Sequence, residues 1–213
     1  HETLAEWLFA EMAKFTHQDA VFDGTAILSY AQLIEQAQQF SAQLHELGVA
    51  PGHTVALRGE PNSKALIALL AIIHLQAVYL PIELDLEPQR IETILQDSGA
   101  SVFIDRGLFR VCSSPLNLAS PPQMAAACRL WPSPTEAGAT LEHSSMIGLL
   151  QWLQRHYGLS AQDRMLVHQG LHRKESLVEL LWPLTCGAAL VLVEPEDLLD
   201  VPTLQLVMEE RQV

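Results

Sequence analysis

Residues Asn62 to Ile104 read NSKALIALLAIIHLQAVYLPIELDLEPQRIETILQDSGASVFI, and this stretch decides the fold. Ala65 to Ile73 is apolar at every position. A helix that is apolar all round belongs in an interior, and Asn62 is placed to cap it. VYLPI follows at once and reads as a short buried strand, Tyr79 to Ile82. Proline lacks the N–H that a sheet ladder needs, so Pro81 suits an edge or a strand end. Pro88 then opens an amphipathic helix with Ile91, Ile94 and Leu95 as its core face. SVFI closes the stretch as another strand. The order helix, strand, helix, strand predicts an α/β fold with parallel-sheet layers covered by helices.

Towards the N-terminus, Thr3 with Glu6 and Ser29 with Gln32 form two capping boxes. The first helix places Leu4, Leu8, Met12 and Phe15 on one face. The second places Leu33, Ala37, Phe40, Leu44 and Leu47 there and ends at Gly48. Between them AVF and AIL flank Asp23-Gly24, a hairpin signal, and TVAL is a strand after the Gly48 to Gly52 loop. Towards the C-terminus the signal fades from Arg106 to Ala139, a stretch rich in Pro, Ser and Ala that reads as loop with one short strand or helix. Order returns with a helix capped by Ser144 or Ser145, burying Met146, Ile147, Leu149, Leu150 and Leu153 and stopped by Gly158. RMLV (Arg164 to Val167) and AALVLV (from Ala188) are strands; Ser176 to Leu184 and Thr203 to Arg211 are helices. The reading is one domain over residues 1–213 with an irregular insert at about 106–139.

Composition bounds the function. Apolar residues make up 49% of the chain and charged residues only 17%, below the usual quarter. Such a surface-poor composition suggests that a neighbouring domain covers part of the apolar surface. The net charge of −13 repels phosphate backbones and anionic lipid, so nucleic acid and membrane are poor partners. Cys112, Cys128 and Cys186 are widely spaced without a C-x-x-C, which suits a reducing cytoplasm. The N-terminus has no signal-peptide pattern, and the apolar run is too short to span a bilayer.

Several segments occur in an order that resembles a known family: LSYAQL (Leu28 to Leu33), HELGVAPGHTVAL (His45 to Leu57), IHLQAVYLPIELDLEPQRIETILQDSGA (Ile73 to Ala100), LEHSSMIGLLQWLQRHYGLSAQDRMLV (Leu141 to Val167) and LLWPLTCGAALVLVEPE (Leu180 to Glu196). Together they resemble the N-terminal portion of nonribosomal peptide synthetase adenylation domains, members of the AMP-forming acyl, aryl and amino-acid ligase superfamily. The resemblance implies a partial N-terminal subdomain of an adenylate-forming enzyme.

It also implies parts that can be sought one by one. The family's phosphate loop is a Gly/Ser/Thr run ending in Pro-Lys-Gly, whose N–H groups and lysine hold ATP phosphates. Its slot here is Cys128 to Gly138, CRLWPSPTEAG. Gly138 stands in the place of the last glycine, but Ala137 replaces the lysine and Glu136 puts an anion beside it. Pro132 and Pro134 remove N–H donors. The aspartate that anchors the substrate's amino group should fall at Arg173 or Lys174, cations that would repel an ammonium. The adenine-binding segment, the Mg²⁺-linked carboxylate, the ribose-binding aspartate and the catalytic lysine are expected beyond Val213.

Other candidates have plainer readings. His143 and Ser144 lack a nucleophile-elbow motif, and read as a surface histidine beside a helix cap. His168 and His172, near Arg173, have an i, i+4 spacing, but Gly170 between them argues against a helical metal site. Glu83, Asp85 and Glu87 read as a solvated loop, Trp131 as loop, and Trp152 and Trp182 as packing residues.

The expectation is therefore a degenerate, truncated adenylation-like domain. It has no catalytic residue, cofactor or metal, and serves as a structural platform against condensation or carrier domains of a nonribosomal peptide or hybrid polyketide assembly line. The alternatives are the front half of an active amino-acid-adenylating enzyme and a module that holds a nucleotide or acyl group without reacting it.

Overall fold

The fold is described from a computed structural model, over residues 3–112, 125–130, 139–167, 174–193, 201–211 and 213. α1 (Leu4–Met12) begins with the expected Thr3–Glu6 capping box and runs into a 3-10 turn, Ala13–Phe15. β1 (Asp19–Asp23) and β2 (Ala26–Ser29) form the hairpin, with Gly24 at φ +56° in its turn. α2 (Tyr30–Glu46) starts at the Ser29–Gln32 capping box. β3 (Thr54–Arg58), α3 (Ser63–His74), β4 (Val78–Pro81), α4 (Pro88–Ser98) and β5 (Val102–Asp105) then follow the predicted order. The second half contains β6 (Leu108–Val111), β7 (Ala126–Leu130), β8 (Ala139–Glu142), α5 (His143–Tyr157), β9 (Arg164–Val167), α6 (Lys174–Leu184), β10 (Ala189–Leu192) and α7 (Val201–Arg211).

These strands form two sheets. One has the order β2-β1-β10-β9, the other β6-β5-β3-β4-β7-β8. β3 pairs in parallel with β4 and β5, and β10 with β1 and β9. The antiparallel pairs are the flanking hairpins β1–β2, β5–β6 and β7–β8. Alternate residues of β3, β4 and β5 face opposite layers. Val55, Leu57, Tyr79, Val102 and Ile104 join a large central core with α1, α2, α3, α5 and α6. Ala56, Leu80 and Phe103 pack instead with Ile91, Ile94 and Leu95 of α4. On the first sheet, Val21, Leu190 and Leu192 enter the same central core, while Phe22 and Val191 face outward towards Val207 of α7. The chain is layered: helix, sheet, a shared helical layer, sheet, helix.

α3 lies in the shared layer, and every residue from Ala65 to Ile73 is buried. Pro81 is the last residue of β4, which lies inside its sheet, so the strand-end reading holds and the edge reading does not. The hydrogen bond that continues the ladder comes from Ile82 N to Leu57 O, one residue later.

The stretch from 106 to 139, read as loop with one short strand or helix, holds more strand than that. It contains β6, β7 and the first residue of β8. These strands add to the two edges of an existing sheet, so their pairing comes from β5 and β4 and not from a hydrophobic pattern of their own.

Candidate functional site

Cys128 to Gly138, the segment matched to the phosphate loop, begins within β7 and ends just before β8. β7 lies parallel to β4 through Tyr79 and Cys128, and antiparallel to β8. Residues 131–138 therefore connect the two strands of a hairpin. Pro132, Pro134, Glu136, Ala137 and Gly138 lie outside the described residues, as do Trp131, His168, His172 and Arg173. Lys174 is the first residue of α6. α5 packs on both β7 and β8 and also against α6, so one helix links the hairpin of the first slot to the helix at the second. Burial pushes the Cys128 thiol up to about 12, which leaves it protonated and inert at neutral pH.

His143 differs from its reading as a surface residue. It is the first residue of α5, only 6% exposed, and neither ring nitrogen has a hydrogen-bond partner among the described residues. Desolvation lowers its pKa and keeps the ring neutral. Glu142, not Ser144 or Ser145, occupies the N-cap position, without a side-chain cap. Ser144 is exposed. Trp152 is 43% exposed and Leu149 is 41% exposed, so neither is the packing residue expected. The inward stripe of α5 is Met146 and Leu150, with Leu153 half-buried, at i, i+4 and i+7; Trp152 falls outside it. Trp182 is buried, as read, and its Nε1–H donates to Gln154 Oε1 at 2.9 Å. Glu83, Asp85 and Glu87 are exposed. Among the described residues no group of three His, Cys, Asp or Glu side chains is placed to hold a metal ion. No described helix is long and apolar enough to cross a membrane.

Tyr30, the aromatic residue of LSYAQL, is fully buried, and its hydroxyl donates to Ala188 O at 2.7 Å. It ties the start of α2 to the turn before β10. That motif residue serves the packing of the fold.

A cavity of about 480 Å³ opens at the carboxyl ends of β3 and β5, between α2 and α3. Loops leaving parallel strands diverge there, which makes that end of a sheet the usual place for a ligand crevice. Its apolar wall includes Phe40, Leu57, Ala68 and Ile104; Arg58, Glu60, Lys64 and Arg106 supply its charges. Arg58 is already engaged. Its Nε and Nη2 donate to the two carboxylate oxygens of Asp105 at 2.8 and 2.6 Å. That fork holds Asp105 below the usual carboxylate range and raises the guanidinium. The sequence reading did not find this cavity. Its one local signal is Arg106-Gly107 between two strands, which turns the chain with both residues at positive φ.

Comparison with known proteins places the chain. The family model described as "AMP-binding enzyme" matches residues 8–128. Enterobactin synthase component F of Shigella flexneri is 27% identical over 215 residues, covering 91% of this chain and 17% of that protein. Phenyloxazoline synthase MbtB of Mycobacterium tuberculosis is 28% identical over 218 residues, covering 91% of this chain and 15% of that protein. The chain thus spans about a sixth of the length of these relatives. Among solved structures, the nonribosomal peptide synthetase FmoA3 superposes with a TM-score of 0.86 at 23% identity, over 100% of this chain and 25% of that one. VinN in complex with L-aspartate gives 0.74 at 17% identity, over 89% of this chain and 62% of that one. The layered α/β architecture, the ordered motifs and the match over more than half its length make this chain a member of the AMP-binding enzyme family, with the fold of the adenylation portion of a nonribosomal peptide synthetase.

Proposed function

We propose that this domain keeps the adenylation fold without the activation chemistry. It serves as a cytoplasmic structural platform for neighbouring condensation or carrier domains of a nonribosomal peptide or hybrid polyketide assembly line. The observation that carries the reading is the connection from β7 to β8, WPSPTEAG at residues 131–138. It contains no lysine, one carboxylate and two prolines. A site for a triphosphate needs backbone N–H donors and cations, because a developing or resting polyanion must be met by fixed positive charge. A glutamate there adds repulsion instead of stabilisation. The cations Arg173 and Lys174, at the place of the amino-group anchor, support the same reading. A fold can persist after its site has changed, because core packing and site chemistry rest on different residues.

ATP–pyrophosphate exchange tests this, measured on the full-length parent protein against a panel of amino and aryl acids. The expected result is no exchange assignable to this domain, from a protein that melts cooperatively. Exchange that this domain supports with any acid would overturn the reading.

A further inference from the structure

Two cations, Lys64 and Arg106, line the β3/β5 cavity, and the backbone of Arg106 is one that folding alone disfavours for arginine. Arg106 has φ +48° and is followed by Gly107 at φ +85°. Both central residues of this tight turn are left-handed, a conformation that Asn, Asp or Gly adopts at lower cost than Arg. Lys64 is the second residue of α3, in the first turn, which contains no acidic residue. There its charge stands at the positive end of the helix, next to Ser63, whose N–H donates to the Asp23 carboxylate. A residue held against its backbone preference points to a functional position, and Arg106 lines one cavity together with Lys64. The charge count points the same way. Of only 12 Lys and Arg in the chain, Arg58, Lys64 and Arg106 line this cavity; of 25 Asp and Glu, Glu60 alone does. Arg58 is paired with Asp105, and Lys64 and Arg106 are the lining cations outside that ion pair.

The rest of the wall suits an organic body. Phe40, Leu57, Ala68 and Ile104 are apolar, and Gln36 and Gln43 present amides from α2. A volume of about 480 Å³ lies in the range of small-molecule pockets. We infer that the cavity is a binding site for a small amphiphilic organic anion. The apolar body sits between α2 and α3, and the acid group meets Lys64 and Arg106. The site lies on strands other than β7 and β8, and it stands or falls independently of the platform reading.

The test is fluorescence titration of the intact 213-residue chain with anilinonaphthalene sulfonate, alongside neutral N-phenylnaphthylamine as the uncharged control. Arg106→Gly suits the left-handed turn and Lys64→Gln lies on an exposed position, so both variants keep the fold; their melting temperatures check this. The expected result is one saturable sulfonate site, weakened about fivefold by either substitution. Glu60→Gln, which removes a carboxylate from the lining, tightens it. The neutral control is unaffected by all three. Unsaturable sulfonate binding, or equal sulfonate affinity in the wild type, Arg106→Gly and Lys64→Gln, overturns the inference.

Discussion

A single methyl group at Gly187 would lie 2.6–2.9 Å from ring carbons of Phe15, and the backbone there is at φ +82°. Both facts reserve the position for glycine. In sequence Gly187 was legible only as part of a resembling segment; its steric reason is a contact with a side chain 172 positions away. His143 shows the opposite case, a residue whose sequence context misleads. It follows a strand and precedes two serines, which reads as surface. The β7–β8 hairpin packs on α5 and covers it, with His143 N–H donating to Ala125 O at 3.0 Å. Because β7 was not legible, neither was the burial of His143. The consequence is a pH dependence. The buried ring has its pKa lowered, and so has His74, which is desolvated beside Phe9. In both cases the unfolded chain takes up the proton first. Stability is therefore full above about pH 6.5 and is lost as pH falls below it, with a slope of at most about 1.4 kcal/mol per pH unit for each histidine. Urea midpoints between pH 5 and 7.5 measure this. His143→Phe should flatten the slope. At pH 7.5 it should be neutral or stabilising by about 1 kcal/mol, since it removes two unpartnered buried nitrogens. An unchanged slope would place the acid sensitivity elsewhere.

At the scale of elements, α3 has a start that is fixed twice. Asn62 Oδ1 accepts from Ala65 N–H at 3.0 Å, the cap read from sequence. Asp23 Oδ2, at the end of β1 in the other sheet, accepts from Ser63 N–H at 2.9 Å and from its hydroxyl at 2.6 Å. That second acceptor was not legible, because it comes from a strand 40 residues away. It brings a negative charge to the positive end of the helix and ties β1 to the shared helical layer. Asn62→Ala should cost about 1 kcal/mol. Asp23→Ala should cost more, about 2 kcal/mol, because it removes two hydrogen bonds to a charged acceptor as well as the charge. Chemical denaturation of the two variants tests the order; a larger loss from Asn62→Ala would mean that the strand-to-helix bond contributes little. Long periodic helices and capping boxes were readable in this way because their signals are local. The strands LFRV and ATLE were not, because an edge strand of four residues draws its order from the neighbour it pairs with.

The whole molecule depends on one helical layer being shared. Both sheets turn one face into the same core: Val21 and Leu190 from one, Val55 and Ile104 from the other, with Leu69, Leu70 and Ile72 of α3 between them. Neither sheet can lose that layer and keep its inner face dry. Burial of a common core makes folding cooperative, so heat or urea should unfold the described layers in one transition. Far-UV circular dichroism, which follows all helices and strands, should coincide with the fluorescence of the tryptophans, among which Trp182 is buried in this core and Trp7 packs against it. Leu70→Ala leaves a cavity at a fully buried position and should destabilise by about 2–5 kcal/mol. It should shift both signals together, because the cavity faces a layer on which both sheets rest. If circular dichroism and fluorescence separate, the two sheets are independent folding units joined by contact alone. Coincident shifts instead mean that the adenylation fold is held by its central layer.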